Sequence, residues 1–285
     1  MSSEAGPEPR GAGHARRVAL LTAIATLVAL PLVIWVLGPN MPPGKGTDAA
    51  KSQVFDNTVL LVVMTPFTTF ILVYLLYTLI VFRAGKDEEL RDGPPIRGNT
   101  RLQVAWLTAT TVAVLFLATF GTVELLGGNG GGGGSGPSPI AKPGGATLPV
   151  QVIAQQWEFT YRYPTYGGVE TPQLVLPVGR EIAFHVTSLD AIHSFWAYQL
   201  GVKADANPGV DNIAYVKPKT TRSFDIRCAE LCGLWHGYMF DTGRVVSDSE
   251  FATWIAGQRN EFREVTKVLP PYSTTYNPDP TARAG

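Results

Sequence analysis

Three windows of the chain carry no charged side chain: Val18 to Leu37, Thr58 to Phe82 and Leu102 to Val123, of 20, 25 and 22 residues. At 1.5 Å of rise per residue, each is long enough as a helix to cross about 30 Å of hydrocarbon. Three such windows in one chain make buried core helices a poor alternative. Pro31 and Pro66 do not oppose the assignment, because membrane helices tolerate proline. After residue 147 the period switches to two. From Ile153 through Gln155, Trp157, Phe159, Tyr161 and Tyr163 the odd positions are largely aromatic, and Gln156, Glu158, Thr160 and Arg162 lie between them, which predicts one half-buried strand. Further strands are predicted over Glu181 to Ser188 and Thr220 to Cys228, the latter placing Phe224, Ile226 and Cys228 on its inward face. A single helix closes the pattern: Ser247 and Glu250 have capping-box spacing, and Phe251, Trp254, Ile255, Gln258 and Phe262 share one face.

These patterns divide the chain into a cytoplasmic tail (1–17), a first span or signal-anchor (18–37), a membrane hairpin (58–82 and 102–126), a linker (127–146), an extracytoplasmic β domain (147–265) and a tail (266–285). The linker assignment rests on Gly127 to Gly136, almost all glycine and followed by Pro137, Pro139 and Pro143, a composition that resists a single conformation. A cleaved signal peptide is the alternative for the first window. Its length, and the absence of a small-x-small site in Gly38 to Pro43, favour a retained span.

Arg10, Arg16 and Arg17 precede the first window, and Arg83, Lys86, Arg91, Arg97 and Arg101 crowd the second connection, against Lys45 and Lys51 in the first. Basic residues stay inside. The reading is therefore a multi-pass protein of the bacterial plasma membrane, amino terminus in the cytoplasm and β domain outside. With 23 basic and 23 acidic residues and only 16% charged side chains, the composition points to membrane lipid and away from nucleic acid.

The candidate chemistry lies in twelve residues, Cys228 to Met239, which hold both cysteines, His236 and Met239. Two thiolates, an imidazole and a thioether are soft enough to select copper over hard, oxygen-seeking ions. For these side chains to face one point the chain must curl, as Gly233 and Gly237 permit. A Cys228 to Cys232 disulfide, a structural zinc site and coincidence are the alternatives. His193, on a separate loop, supplies the further nitrogen a closed site needs and tilts the balance toward copper. His185 has the opposite parity to Ile182, Phe184 and Val186 and reads as a surface or hydrogen-bonded residue, and His14 as part of the polar amino-terminal tail.

The run Cys228-Ala-Glu-Leu-Cys-Gly-x-x-His-x-x-Met239, the upstream Asp190-x-x-His-Ser-Phe-Trp196, the Lys203-x-Asp-x-x-Pro-Gly209 turn and the Gln156-Trp157 pair together resemble subunit II of the haem-copper cytochrome c oxidases, over roughly residues 50 to 265. The resemblance implies a cupredoxin-like Greek-key β-barrel behind a membrane helical hairpin with an extra amino-terminal span. It implies a binuclear copper (CuA) centre in which Cys228 and Cys232 bridge, His193 and His236 bind one copper each, and Met239 and the Glu230 carbonyl are weak axial ligands. It also implies a magnesium ion reached by the Glu230 side chain at the interface with oxidase subunit I. On pattern alone Trp157 reads as core; the resemblance makes it the point where electrons arrive from a c-type cytochrome. Three departures are visible. Gln103 stands where many members have a glutamate at a proton path, which puts proton uptake there in doubt. Phe159 replaces a common tryptophan and Val210 an arginine, neither at a copper ligand.

Residues 140 to 285 hold 13 basic and 14 acidic side chains, so the outer domain lacks the acidic excess that steers a soluble basic cytochrome and points to a tethered donor. Four histidines are too few for an oxygen-reducing site as well. The functions in view are an electron-relay subunit, a membrane-anchored copper carrier or sensor, and a quinol oxidase subunit, which would lack the copper ligands.

Overall fold

The computed structural model describes residues 12–83, 98–126 and 147–266. The linker (127–146), nearly all of the carboxy-terminal tail and basic residues Lys86, Arg91 and Arg97 lie outside the described residues. Contacts divide the chain into two units, one holding the residues up to Met41 with Asn57–Thr119, the other Pro42–Asp56 with the residues from Phe120 onward.

Among the described residues three helices are long and apolar enough to cross a membrane. The first, α1 (Ala12–Leu32), runs on through a π-helical turn (Val33–Leu37). It begins ahead of the uncharged window, so His14 is helical rather than part of a tail, with Nδ1 2.7 Å from the Tyr77 hydroxyl. The second, α2 (Asp48–Val81), starts well before Thr58. Charge exclusion marks only the apolar part of a helix, and this one opens with a polar stretch led by Asp48, whose charge suits a helix amino terminus. The third, α3 (Thr100–Leu126), contains Gln103. Thr26 and Thr69 hydroxyls meet at 2.7 Å between α1 and α2, and residues such as Leu27, Ile80 and Leu107 expose apolar side chains, as a hydrocarbon surrounding favours.

The second unit contains ten strands: β1 (Leu148–Gln155), β2 (Glu158–Tyr163), β3 (Val169–Thr171), β4 (Val175–Pro177), β5 (Ile182–Ser188), β6 (His193–Ala197), β7 (Val202–Ala206), β8 (Asn212–Val216), β9 (Arg222–Cys228) and β10 (Phe240–Val246). They form two five-stranded sheets, ordered β3-β2-β1-β5-β8 and β4-β10-β9-β6-β7. Val150, Val152, Phe159, Tyr161, Phe184, Phe195, Phe224 and Ile226 interlock in one apolar core. Phe159, the departure from tryptophan, is core, its ring 5.9 Å from that of Phe195.

The single aromatic strand predicted from Ile153 to Tyr163 is instead a hairpin. Gln155 pairs with Glu158 and Ala154 with Phe159, leaving Gln156 and Trp157 as a two-residue turn. Antiparallel pairing across that turn reverses parity, so β1 turns Val150, Val152 and Ala154 inward, not Ile153 and Gln155, while β2 turns Phe159, Tyr161 and Tyr163 inward. His185 is buried rather than at the surface. It faces away from the core as its parity requires, and Asp211 holds Nδ1 at 2.9 Å. The closing helix α4 (Asp248–Glu261) follows its signals: the Glu250 N–H donates to Ser247 Oγ, and Phe251 and Ile255 are buried. A short α5 (Arg263–Thr266) extends it.

Pro42–Asp56 docks on the β domain as a strap. The Gly46 N–H donates to the Gln199 carbonyl (2.9 Å), Thr47 Oγ1 to the Leu200 carbonyl (2.8 Å) and Gln53 Nε2 to the Gly201 carbonyl (2.8 Å), and Asp48 pairs with Lys219. Gly201, at φ +68°, lies so close to Ala50 that an added Cβ would meet its backbone nitrogen at 2.7 Å. Gln199 carries the connection inward: Nε2 donates to Asp225 Oδ2 and Oε1 accepts the Asp225 N–H, both at 2.9 Å, tying the strap to the strand that ends at Cys228.

Hydrogen bonds from Gln199 and Tyr198 hold the Asp225 carboxyl below the usual carboxylate range, against the opposing effect of burial. Its folded value is therefore depressed, so the stability it contributes is full above the unfolded value, about 4, and is lost as pH falls below that. Asp225→Asn should flatten the fall of the unfolding midpoint of detergent-solubilised protein below about pH 4; an equally steep fall in the variant would remove Asp225 from this account.

Candidate metal centre

Sheet register builds the site. In the β6–β9 pair Phe195 stands opposite Cys228, so His193 starts one strand beside the end of the other. The Ala229 N–H donates to the Ser194 carbonyl (2.9 Å) and the Cys228 N–H to the Met239 carbonyl (3.0 Å), pinning the loop where it leaves β9 and where it joins β10. Between these pins the chain turns at Gly233, whose φ of +118° favours glycine, and through a 3-10 turn at His236–Tyr238. Asp205, from the Lys203 to Gly209 stretch, accepts a 2.7 Å bond from Ser194 Oγ beside His193.

The soft donors converge. Cys228 Sγ lies 3.7 Å from Cys232 Sγ and 3.9 Å from His193 Nδ1; Cys232 Sγ lies 3.5 Å from His236 Nδ1 and 3.8 Å from Met239 Sδ. The Glu230 carbonyl faces Cys228 Sγ at 3.2 Å, while the Glu230 side chain is exposed. Both cysteines are free thiols, so the disulfide reading does not describe this structure. His193, Cys228 and Cys232 hold their ligand atoms within 4.8 Å of one another, the one such group found among the described residues. Met239 is buried with its sulfur against Cys232, a placement that a four-ligand zinc site would leave unused. Two thiols flanked by an imidazole on each side, with a thioether beside Cys232, are a donor set that suits copper.

The electrostatics fit a cation too. Burial, then the neighbouring Cys228, push the Cys232 thiol up to about 12. A pocket that disfavours thiolate by itself becomes favourable to it when a metal ion supplies the opposite charge. His193 is fully buried and its Nε2 sits 2.9 Å from Asp190 Oδ1, so a proton on Nε2 leaves Nδ1 free as the ligand atom. Partial burial works against the Asp190 carboxylate, but hydrogen bonds from the Gln156 N–H, His193 and the Ala191 N–H outweigh it and lower its pKa.

Trp157 is half-buried at the turn between β1 and β2, neither core nor free. Its indole N–H donates to the Cys232 carbonyl (3.3 Å), which also accepts from Gln156 Nε2 (2.8 Å). An added Cβ at Gly233 would meet Gln156 Nε2 at 3.0 Å. Two contributors were not assigned from sequence, Gln156 and Asp190. The signal for Asp190 is a carboxylate three positions before a ligand histidine, the spacing that reaches its far ring nitrogen. Around the site Leu231, Leu234 and Tyr238 are exposed.

Helical spans joined to a two-sheet cupredoxin-like domain that gathers soft donors define a membrane protein with a candidate metal site. Residues 169–245 match the profile of the cytochrome c oxidase subunit II periplasmic domain, a stretch containing all five soft donors but not Trp157. The cytochrome c oxidase subunit 2 of Synechocystis is 28% identical over 294 residues, 90% of this chain and 87% of that protein. That of Alkalihalophilus pseudofirmus is 25% identical over 225 residues, 79% of this chain, and the match spans 64% of the relative's length. The solved periplasmic domain of cytochrome oxidase subunit II from Bradyrhizobium japonicum is 34% identical, covering 42% of this chain and 98% of that one, with a TM-score of 0.40. The chain belongs to the cytochrome c oxidase subunit II family. Membership implies assembly with other oxidase subunits and a periplasmic-type β domain.

Proposed function

We propose that this chain is the CuA-bearing subunit of a respiratory cytochrome c oxidase, taking single electrons from a c-type cytochrome and passing them toward haem in subunit I, where oxygen is reduced to water and protons are translocated. The observation that carries the reading is the pair Cys228 and Cys232, 3.7 Å apart, with His193 beside Cys228 and with His236 and Met239 beside Cys232. A copper pair bound there would supply a one-electron store shared between two ions. Cys228, Cys232, His193 and His236, with Met239 and the Glu230 carbonyl, would be the residues that hold it.

The chain's own residues do the rest. Trp157 offers an indole whose N–H already bonds the Cys232 carbonyl, which shortens the path from a docked haem edge to the centre. The exposed Leu231, Leu234 and Tyr238 offer an apolar collar for a protein partner. The exposed Glu230 side chain is free to meet a magnesium ion at the subunit I interface. Basic residues flanking the spans favour a cytoplasmic amino terminus and an outer β domain in a bacterial plasma membrane. The near-neutral outer domain favours a tethered cytochrome as donor.

A copper carrier or sensor is the rival, and burial argues against it: His193, Met239 and Cys232 are 0%, 2% and 4% exposed, leaving little for an exchange partner to grip.

Purified protein should hold two coppers per chain with a mixed-valence spectrum; one exchangeable Cu(I) would establish the carrier, and none the quinol-oxidase type. Cys228→Ser or Cys232→Ser should abolish the purple CuA absorption completely, and its survival in either variant would refute the ligand assignment. Trp157→Ala should slow electron transfer from cytochrome c while leaving the copper spectrum unchanged; an unaltered rate returns Trp157 to a packing role. Oxidation of the natural donor should change little with ionic strength, whereas a steep decline with salt would favour a steered soluble cytochrome.

A further inference from the structure

We infer that Asp190 is a positioning residue that joins the ligand His193 to the Gln156–Trp157 turn, so that one carboxylate sets both the ligand's orientation and the seat of the indole. The inference rests on the copper reading above.

The two carboxylate oxygens are divided between two loops. Oδ1 accepts from His193 Nε2 (2.9 Å) and from the Ala191 N–H (2.6 Å), both on its own loop. Oδ2 accepts the Gln156 N–H (2.7 Å) from the β1–β2 turn. The Asp190 N–H donates to Ser188 Oγ (3.2 Å), and Ser188 Oγ donates to the Ala191 carbonyl (2.5 Å), so the carboxylate projects from a loop closed on itself. From the turn the connection continues: Gln156 Nε2 and the Trp157 indole both donate to the Cys232 carbonyl. The chain of contacts thus runs from His193 through Asp190 and Gln156 to Cys232, and links both ligand loops from outside the metal pocket.

Chemistry makes aspartate the fitting residue. A carboxylate on the far nitrogen of a ligand histidine raises its basicity and fixes its ring. The same group must also accept a backbone N–H on its other oxygen. Asparagine has one acceptor oxygen and cannot serve both loops. Glutamate keeps both oxygens at one more methylene of reach.

The test uses the full chain in detergent, metal-free and copper-loaded, with Asp190→Asn and Asp190→Glu. Asp190→Asn should weaken copper affinity roughly 10–100-fold and raise the reduction potential, because a neutral amide offsets less of the oxidised centre's charge. In the metal-free protein it should speed hydrogen exchange at the Gln156 amide about tenfold and shift the Trp157 emission, with the far-ultraviolet dichroism of the fold retained. Asp190→Glu should recover part of both effects, and Glu158→Gln, an exposed carboxylate beside the same turn, should produce neither. Copper properties that change with Gln156 exchange unmoved, or the reverse, would show two independent roles and overturn the inference. Wild-type protein without a mixed-valence copper signal would defeat the copper reading separately, and Gln156 exchange in the metal-free variants would still decide whether Asp190 holds the turn.

Discussion

Two sulfur atoms held 3.7 Å apart in a buried pocket are the constraint on which the outer domain depends. Like charges at that separation repel, and burial removes the water that would screen them. The Cys232 thiol, pushed up to about 12, registers the penalty. Protonation relieves it in the free thiols, a bound cation would relieve it in the thiolates, and in either case a frame already in place holds the sulfurs together. Backbone bonds at both ends of the ligand loop provide that frame. The β6–β9 register brings His193 to the same place without any contact inside the loop itself.

The frame is anchored well away from the two sulfurs. Asp225, on the strand that ends at Cys228, is bonded on both main chain and side chain to Gln199, and the Gln199 carbonyl accepts the Gly46 N–H of the strap. Gly201 lets Ala50 approach to a distance no side chain would allow. A strand fixed from behind cannot slide in register, and a slip of one residue would carry Cys228 to the opposite face of the sheet. The polar opening of α2 therefore serves the metal loop, although nothing in its composition suggests a role beyond leading into a membrane helix.

Features governed by local chemistry were legible in the sequence. The three apolar windows, the capping signal at Ser247, the inward phase of Phe224, Ile226 and Cys228, and the soft-donor loop each depend on residues close together in the chain. The misreadings share the opposite cause. Ile153 to Tyr163 alternates so regularly that it reads as one strand, because a two-residue turn preserves polar and aromatic alternation while reversing which parity faces inward. His185 is not among the misreadings: it lies outside the core as its parity requires and takes the hydrogen-bonded alternative, with a carboxylate 26 positions away. Gln156 and Asp190 are ordinary polar residues until three loops meet. Their roles arise from tertiary proximity, which no spacing rule encodes.

That meeting of loops also bears on whether the centre stores electrons or hands over metal. Exchange requires at least one ligand that leaves easily, and of the five donors here His236 is the only one not buried. Its Nδ1 lies 3.5 Å from Cys232 Sγ, and its loop is pinned by a bond from the His236 N–H to the Gly233 carbonyl and another from the Met239 N–H to the His236 carbonyl. A relay gains from the same rigidity, since donors that barely move between oxidation states keep the reorganisation accompanying each electron small. Bonds that would make the site a poor carrier would, on the proposed reading, suit it to relay electrons, and the carbonyl of Cys232, shared by Gln156 and Trp157, ties that frame to the β1–β2 turn.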